Sequence, residues 1–246
     1  VFRDGTPDVF AWPKDRAAYG RLCRLLTLGN RRAEKGACYL DRSDLLAWGN
    51  GMILGVVPDE DLAAPALSTT LSDLVTAFPG DVRLMASFAY RGDDHRRLAL
   101  MDRLARGARV PMVATNDVHH HVPERRRVQD VLTCIREKTT LAAAGFRLAA
   151  NAERHLKAPQ EMARLFRDYP GAIAASVALL DELRFSLDEL SFQYPHETVG
   201  NGETAEQTLR RLTAEGALKR FPNGVPASVQ ATLDHELALI GRLHFA

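Results

Sequence analysis

Along the first half of the chain, short apolar runs alternate with helically spaced apolar positions. Tyr19, Leu22, Leu25 and Leu26 fall on one side of a helix predicted over 15–28, which Asp15 can cap. Ser43 opens a short second helix and Gly49 stops it. The run 52–57, bounded by Gly51 and Pro58, suits a buried strand. A helix over 71–78 ends at Pro79-Gly80, and 82–90 is strand-like. Residues 93–106 form a helix with Leu98, Met101, Leu104 and Ala105 inward, and 110–114 is another short strand. Strand and helix therefore alternate at intervals of about 30 residues, the mark of βαβ units on a parallel sheet or barrel.

From Glu124 the pattern turns helical. Val128, Val131, Leu132 and Ile135 keep helical spacing, and Cys134 reads as a small core residue beside them. Helices over 159–166 and 170–183 each start with Pro, which suits a first helical position. Thr204 and Gln207 have the spacing of a capping box, and Gly216 is expected to end the helix that they open. Phe221 to Pro226 is a tight turn into a last helix with apolar positions at Leu233, Leu237, Ile240 and Leu243. That pattern stops without a cap, and the start at Val1 lacks the basic and apolar stretches of a signal peptide. Both ends read as cut from a longer polypeptide. An α/β part gives way to a helical part somewhere between residues 122 and 190.

Of the 246 residues, 46% are hydrophobic and 26% charged, the mix of a soluble globular protein rather than a disordered chain. No apolar run approaches the roughly 20 residues that a membrane helix needs. A net charge of +1 gives no support to nucleic-acid binding through bulk charge. Charge is uneven, however: residues 91–127 hold nine Arg against five acids, and residues 181–246 six basic residues against ten acids. The basic stretch, including Arg125, Arg126 and Arg127, could face phosphates, but on charge alone a solvated face is preferred. Three cysteines, Cys23, Cys38 and Cys134, have no pair spacing, which argues against a disulfide framework or zinc ribbon and fits a reducing cytosol.

The segment 113–121 stands out, because a short apolar strand runs into a loop carrying Asp117 and His119. In extended chain, positions two apart point the same way. Asp117 and His119 could then share one metal ion, and a carboxylate with an imidazole suits zinc, manganese or iron better than calcium. Ligands at the C-terminal ends of parallel strands are also where β/α barrels build sites. The plainer reading makes Asn116 and Asp117 turn residues and His120 and His121 exposed loop. Gly200-Asn201-Gly202 follows no strand and reads as a turn. His155, His196, His235 and His244 are scattered and read as structural. There is no nucleophile elbow, no Walker-type loop, and no aspartate pair on a strand of the kind a two-metal polymerase site requires.

The stretch from Arg125 to Arg136, following Asn116-Asp117-Val118-His119, closely resembles bacterial C-family DNA polymerases. So do Asn151-Ala152-Glu153-Arg154-His155-Leu156, Phe185 to Leu190 with Tyr194-Pro195-His196-Glu197, and His235 to Ile240. Asp4 to Asp8 and Tyr19 to Thr27 look like the error-prone branch, paralogous to the replicative polymerase III alpha subunit. The resemblance covers nearly the whole chain. It implies that residues 1–122 are the later part of a polymerase-and-histidinol-phosphatase (PHP) domain, a distorted β/α barrel. Residues 123–189 would be a helical connection, and 190–246 the beginning of the polymerase palm. Asp117 and His119 match the last Asp-x-His motif of the PHP metal site, which would take zinc or manganese. The first His-x-His motif would lie upstream of Val1. Tyr90 stands where related sequences often carry His, a departure that argues against a complete cluster even in the parent.

The palm aspartates that hold catalytic magnesium would lie beyond Ala246. The resemblance thus implies a piece of an error-prone DNA-directed DNA polymerase of damage-induced mutagenesis and translesion synthesis, acting in the cytoplasm. The parent's partners would be DNA, deoxynucleotides and other mutagenesis proteins, with no membrane, and the piece itself would not polymerise. Two other readings stand beside it: a metal-dependent phosphoesterase or proofreading nuclease using the barrel, and a non-catalytic scaffold that docks partners. Half a barrel would leave strand edges unpaired and invite self-association.

Overall fold

Alternation within the strands decides which residues face which layer. The computed structural model describes residues 1–191 and 202–246, in two units, Val1–Glu189 and Leu190–Ala246. In the first unit, β1 (Asp8–Pro13), β2 (Met52–Val57), β3 (Val82–Ser87) and β4 (Met112–Thr115) form one sheet in the order β1-β2-β3-β4. β2, β3 and β4 run parallel, as the βαβ spacing predicts, and β1 pairs antiparallel with β2, Asp8 opposite Val57. The architecture is mixed α/β. The described sheet has four strands and is open, not closed into a barrel.

Both faces are covered, so the parallel strands are near-continuous apolar runs. Met52, Leu54, Val56, Leu84, Ala86, Met112 and Ala114 point into the larger core. It is completed by α1 (Arg16–Arg31), α2 (Arg42–Trp48), α3 (Pro65–Ala77) and α4 (Asp94–Ala108). Ile53, Met85 and Val113 point the other way, toward Leu179. Gly55 sits on that second face, where an added Cβ would come within 2.8 Å of both Met85 Sδ and a Trp12 ring carbon, so the ring can lie against the strand only at a glycine.

Beyond β4 come α5 (Arg126–Arg136), α6 (Leu141–Ala144), α7 (Pro159–Leu165) and α8 (Pro170–Glu182). Leu165, Phe166 and Ala172 join the larger core, while Ala175, Leu179 and Leu183 cover the second face. Helix α5 does not bury its apolar stripe. It packs through Thr133 and the predicted core residue Cys134, leaving Val128, Val131, Leu132 and Ile135 exposed, Ile135 at 68%. Spacing identifies residues that share a side of a helix; it does not say that this side meets the core.

Several boundaries move. Asp15 caps α1 through Ala18 N at 2.7 Å, as expected, but Leu26 is exposed and Ala18 and Gly29 are buried instead. The cap of α2 lies at Asp41 rather than Ser43, with Asp44 Oδ2 accepting from Asp41 N at 2.8 Å. Arg32 donates to both oxygens of the buried Asp44, at 2.5 and 3.0 Å, and holds its carboxyl below the usual range.

The second unit has α9 (Ala205–Arg220) and α10 (Ala227–Leu243). Thr204 and Gln207 form the predicted capping box, at 2.9 and 3.2 Å. Gly216 does not end α9, because one interior glycine costs only about 1 kcal/mol and its neighbours are good helix formers. Tyr194 to Glu197, His196 among them, and Gly200-Asn201 lie outside the described residues. Among the described residues, no helix is long and apolar enough to cross a membrane.

Candidate functional site

The C-terminal ends of β3 and β4 open onto one rim. Leaving β4, buried Asn116 is followed by Asp117 at φ 44°, in the left-handed region that Asp tolerates better than most residues. The chain is therefore not extended at Asp117, and His119 Nε2 lies 3.8 Å from Asp117 Oδ1. Asp94, also buried, accepts from the backbone amides of Ala89, Arg91 and Gly92 at 2.6–3.2 Å and fixes the loop after β3.

Segment 151–157 straps these two loops together. Asn151 Nδ2 donates to Ala89 O at 2.8 Å and to Tyr90 O at 3.2 Å. Lys157, almost fully buried, pairs with Glu153 at 2.8 Å and lies 5.9 Å from the Tyr90 ring centre. Tyr90 has φ 52°, and its hydroxyl accepts from Arg164 at 2.7 Å. On the β4 side, Asn116 Nδ2 donates to Glu153 O at 3.0 Å and also to His155 O. His119 N donates to Arg154 O at 2.8 Å, and Leu156 N to His120 O at 3.2 Å. His155 stacks on His120 with ring centres 6.4 Å apart and sets Nδ1 2.8 Å from Ala152 O, a structural role as expected.

Arg154 occupies the centre. Its Nη2 donates to Asp117 Oδ2 and lies 2.6 Å from His119 Nε2, and its Nε donates to Asp117 O at 3.1 Å. A guanidinium has no acceptor, so His119 Nε2 must be the unprotonated ring nitrogen. Burial, together with the Arg154 charge, pushes the His119 pKa below its ordinary value, while Asp117 opposes the shift. A cavity of about 200 Å³ at the strand ends is lined by Ser87, Arg91, Asp94, Thr115 and Asp117.

As a metal site the donor set is thin. Among the described residues no group of three His, Cys, Asp or Glu side chains could hold an ion. Asp117 Oδ2 and His119 Nε2 both face one guanidinium nitrogen. The sequence pattern points to Asp117 and His119 and gives no role to Arg154, which lies in the stretch Asn151 to Leu156. The available signal is its polar run of Asn, Glu, Arg and His, too polar for a core helix.

No protein-family model matches the chain. Curated proteins do. The chain is 51% identical over 246 residues, all of its length, to a protein named error-prone DNA polymerase from Rhodopseudomonas palustris, of which it spans 22%. It is 51% identical over 252 residues to one of the same name from Bradyrhizobium diazoefficiens, again spanning 22% of it. The identity is 48% over 247 residues to another from Brucella abortus, of which it spans 23%. The chain thus covers less than a quarter of the length of these relatives.

Proposed function

We propose that this chain is a segment of an error-prone DNA-directed DNA polymerase, and that it supports the enzyme without carrying its polymerising residues. The observation that carries this reading is an identity of about one half, sustained along the whole chain, to proteins of that one name. Residues 1–122 are then the later part of a PHP domain, 123–189 a helical connection, and 190–246 the approach to the palm.

In the parent, a primer 3′ oxygen attacks the α-phosphate of a deoxynucleoside triphosphate and the bond to the β-phosphate breaks, releasing pyrophosphate, in damage-induced, translesion synthesis in the cytoplasm. Magnesium would supply the charge stabilisation for that transfer, and we assign no residue of this chain to hold it. The chain's own contribution is a rigid sheet and surfaces for the rest of the polypeptide. The stripe of Val128, Val131, Leu132 and Ile135 supports this, since four exposed apolar side chains on one helix suit burial against a further layer. Partner proteins of a mutagenesis complex are the other occupants that such a scaffold would take.

Primer extension tests the assignment. The 246-residue chain, given primed template, deoxynucleotides and magnesium, should extend nothing, while the longer polypeptide should extend the primer. Extension by the chain alone would overturn the supporting role, and failure of the longer polypeptide would overturn the polymerase reading. The phosphoesterase or nuclease reading has Asp117 and His119 in its favour, and no third donor of the described residues beside them. Hydrolysis of a phosphate ester by the chain, abolished in Asp117→Asn, would restore it.

A further inference from the structure

The geometry points to Arg154 as a built-in cation that takes the place of a metal ion between Asp117 and His119 and fastens segment 151–157 across the ends of β3 and β4. This inference does not rest on the polymerase reading. It follows from three features of the rim.

First, one guanidinium satisfies both groups. Arg154 Nη2 reaches the Asp117 carboxylate and the His119 ring nitrogen, while Nε holds the Asp117 carbonyl. A metal ion bound through Asp117 Oδ2 and His119 Nε2 would need the lone pairs that the guanidinium takes. Second, the arginine is anchored where it stands. Its own carbonyl accepts from the amides of His119 and His120, at 2.8 and 3.3 Å, so backbone and side chain grip the same loop. Swinging the side chain away would leave Asp117, at φ 44°, without its charge partner. Third, among the described residues no group of three His, Cys, Asp or Glu side chains is placed to hold an ion, and the nearby Asp94 is turned to the backbone, where it accepts from three amides.

The rim is therefore an organic latch. A planar fork suits this position and a lysine does not, because Arg154 contacts three acceptors from one rigid group and an ammonium is a compact point charge. The latch also explains why a polar segment lies ordered against the sheet edge: the ion pair and the flanking amide bonds hold it there.

The test is metal content together with a thermal double-mutant cycle on the chain. After dialysis against zinc or manganese and then against buffer, the wild-type chain should retain less than about one tenth of an ion per molecule by elemental analysis. Its melting temperature should not move with chelator. Arg154→Met should lower the melting temperature by about 3–6 °C, and Asp117→Asn by a similar amount. The double variant should fall well short of the sum, since both changes break one contact. Arg154→Lys should recover less than half of the loss. One ion retained per wild-type chain and lost in Asp117→Asn would overturn the inference, as would strictly additive melting shifts. If Arg154→Met fails to fold, the wild-type metal content and Arg154→Lys decide the matter on their own.

Discussion

The two units of the chain are held in different ways. In Val1–Glu189, residues such as Leu54, Leu74, Leu84 and Phe166 are completely removed from water, and the parallel strands β2, β3 and β4 are covered on both faces. In Leu190–Ala246, neither α9 nor α10 buries a single residue fully. What the second unit shows instead is local: the Thr204–Gln207 capping box, Arg210 on Glu206, and Arg211 between Glu203 and Glu215. Burial makes long-range order, whereas caps and pairs one turn apart make helices that owe little to distant residues. The first unit should unfold as a body, and the second should respond mainly to changes within a helix.

Truncation of the core gives the largest contrast. Leu84→Ala should cost about 2–5 kcal/mol in urea unfolding, as for a side chain fully buried in a close-packed interior. Leu237→Ala, on the half-buried side of α10, should cost about 1 kcal/mol or less, and equal costs would erase the distinction.

Next in size is the buried ion pair at the start of α2. Asp44→Asn should cost about 1–3 kcal/mol at neutral pH, because Arg32 and the Asp41 amide lose a charged acceptor. The Asp44 pKa is lowered in the folded chain, so its contribution is complete above the ordinary carboxylate range and fades as pH falls through the depressed value. The melting temperatures of wild type and Asp44→Asn should therefore draw together as pH falls from the ordinary carboxylate range through the depressed value. Curves that stay parallel in acid would deny the ion pair its role.

Smaller still is Thr204→Ala, expected to loosen α9 by about 0.5–2 kcal/mol. Amide exchange should rise within Ala205–Arg220 and stay unchanged in β2 and β3. Faster exchange in the sheet would show that the units are not held separately.

Legibility in the sequence follows the same division. β2, α7, α8 and the α9 cap stand close to where the pattern places them, because each is announced by neighbours: Gly51 and Pro58, Pro159, Pro170, and Thr204 with Gln207. β1 was not legible as a strand, although Val9 and Ala11 alternate with Phe10 and Trp12. Its partner, Val57 against Asp8, lies far along the chain, and antiparallel pairing there breaks the βαβ rhythm. The burial of α5 was misjudged for the same kind of reason: spacing reveals a stripe, and tertiary contacts choose the side. At the rim, Asp117 and His119 share one short loop and could be paired by eye. Arg154, 37 residues beyond Asp117, could be joined to them only by the fold.

If this segment holds shape and performs no chemistry at its rim, the longer polypeptide carrying Arg154→Met will show it when primer-extension turnover per folded molecule is measured beside the melting temperature. Melting should drop by about 3–6 °C while turnover, taken 15 °C or so below the lower melting point, stays within about twofold of wild type. An unchanged melting temperature with turnover reduced tenfold or more would contradict it.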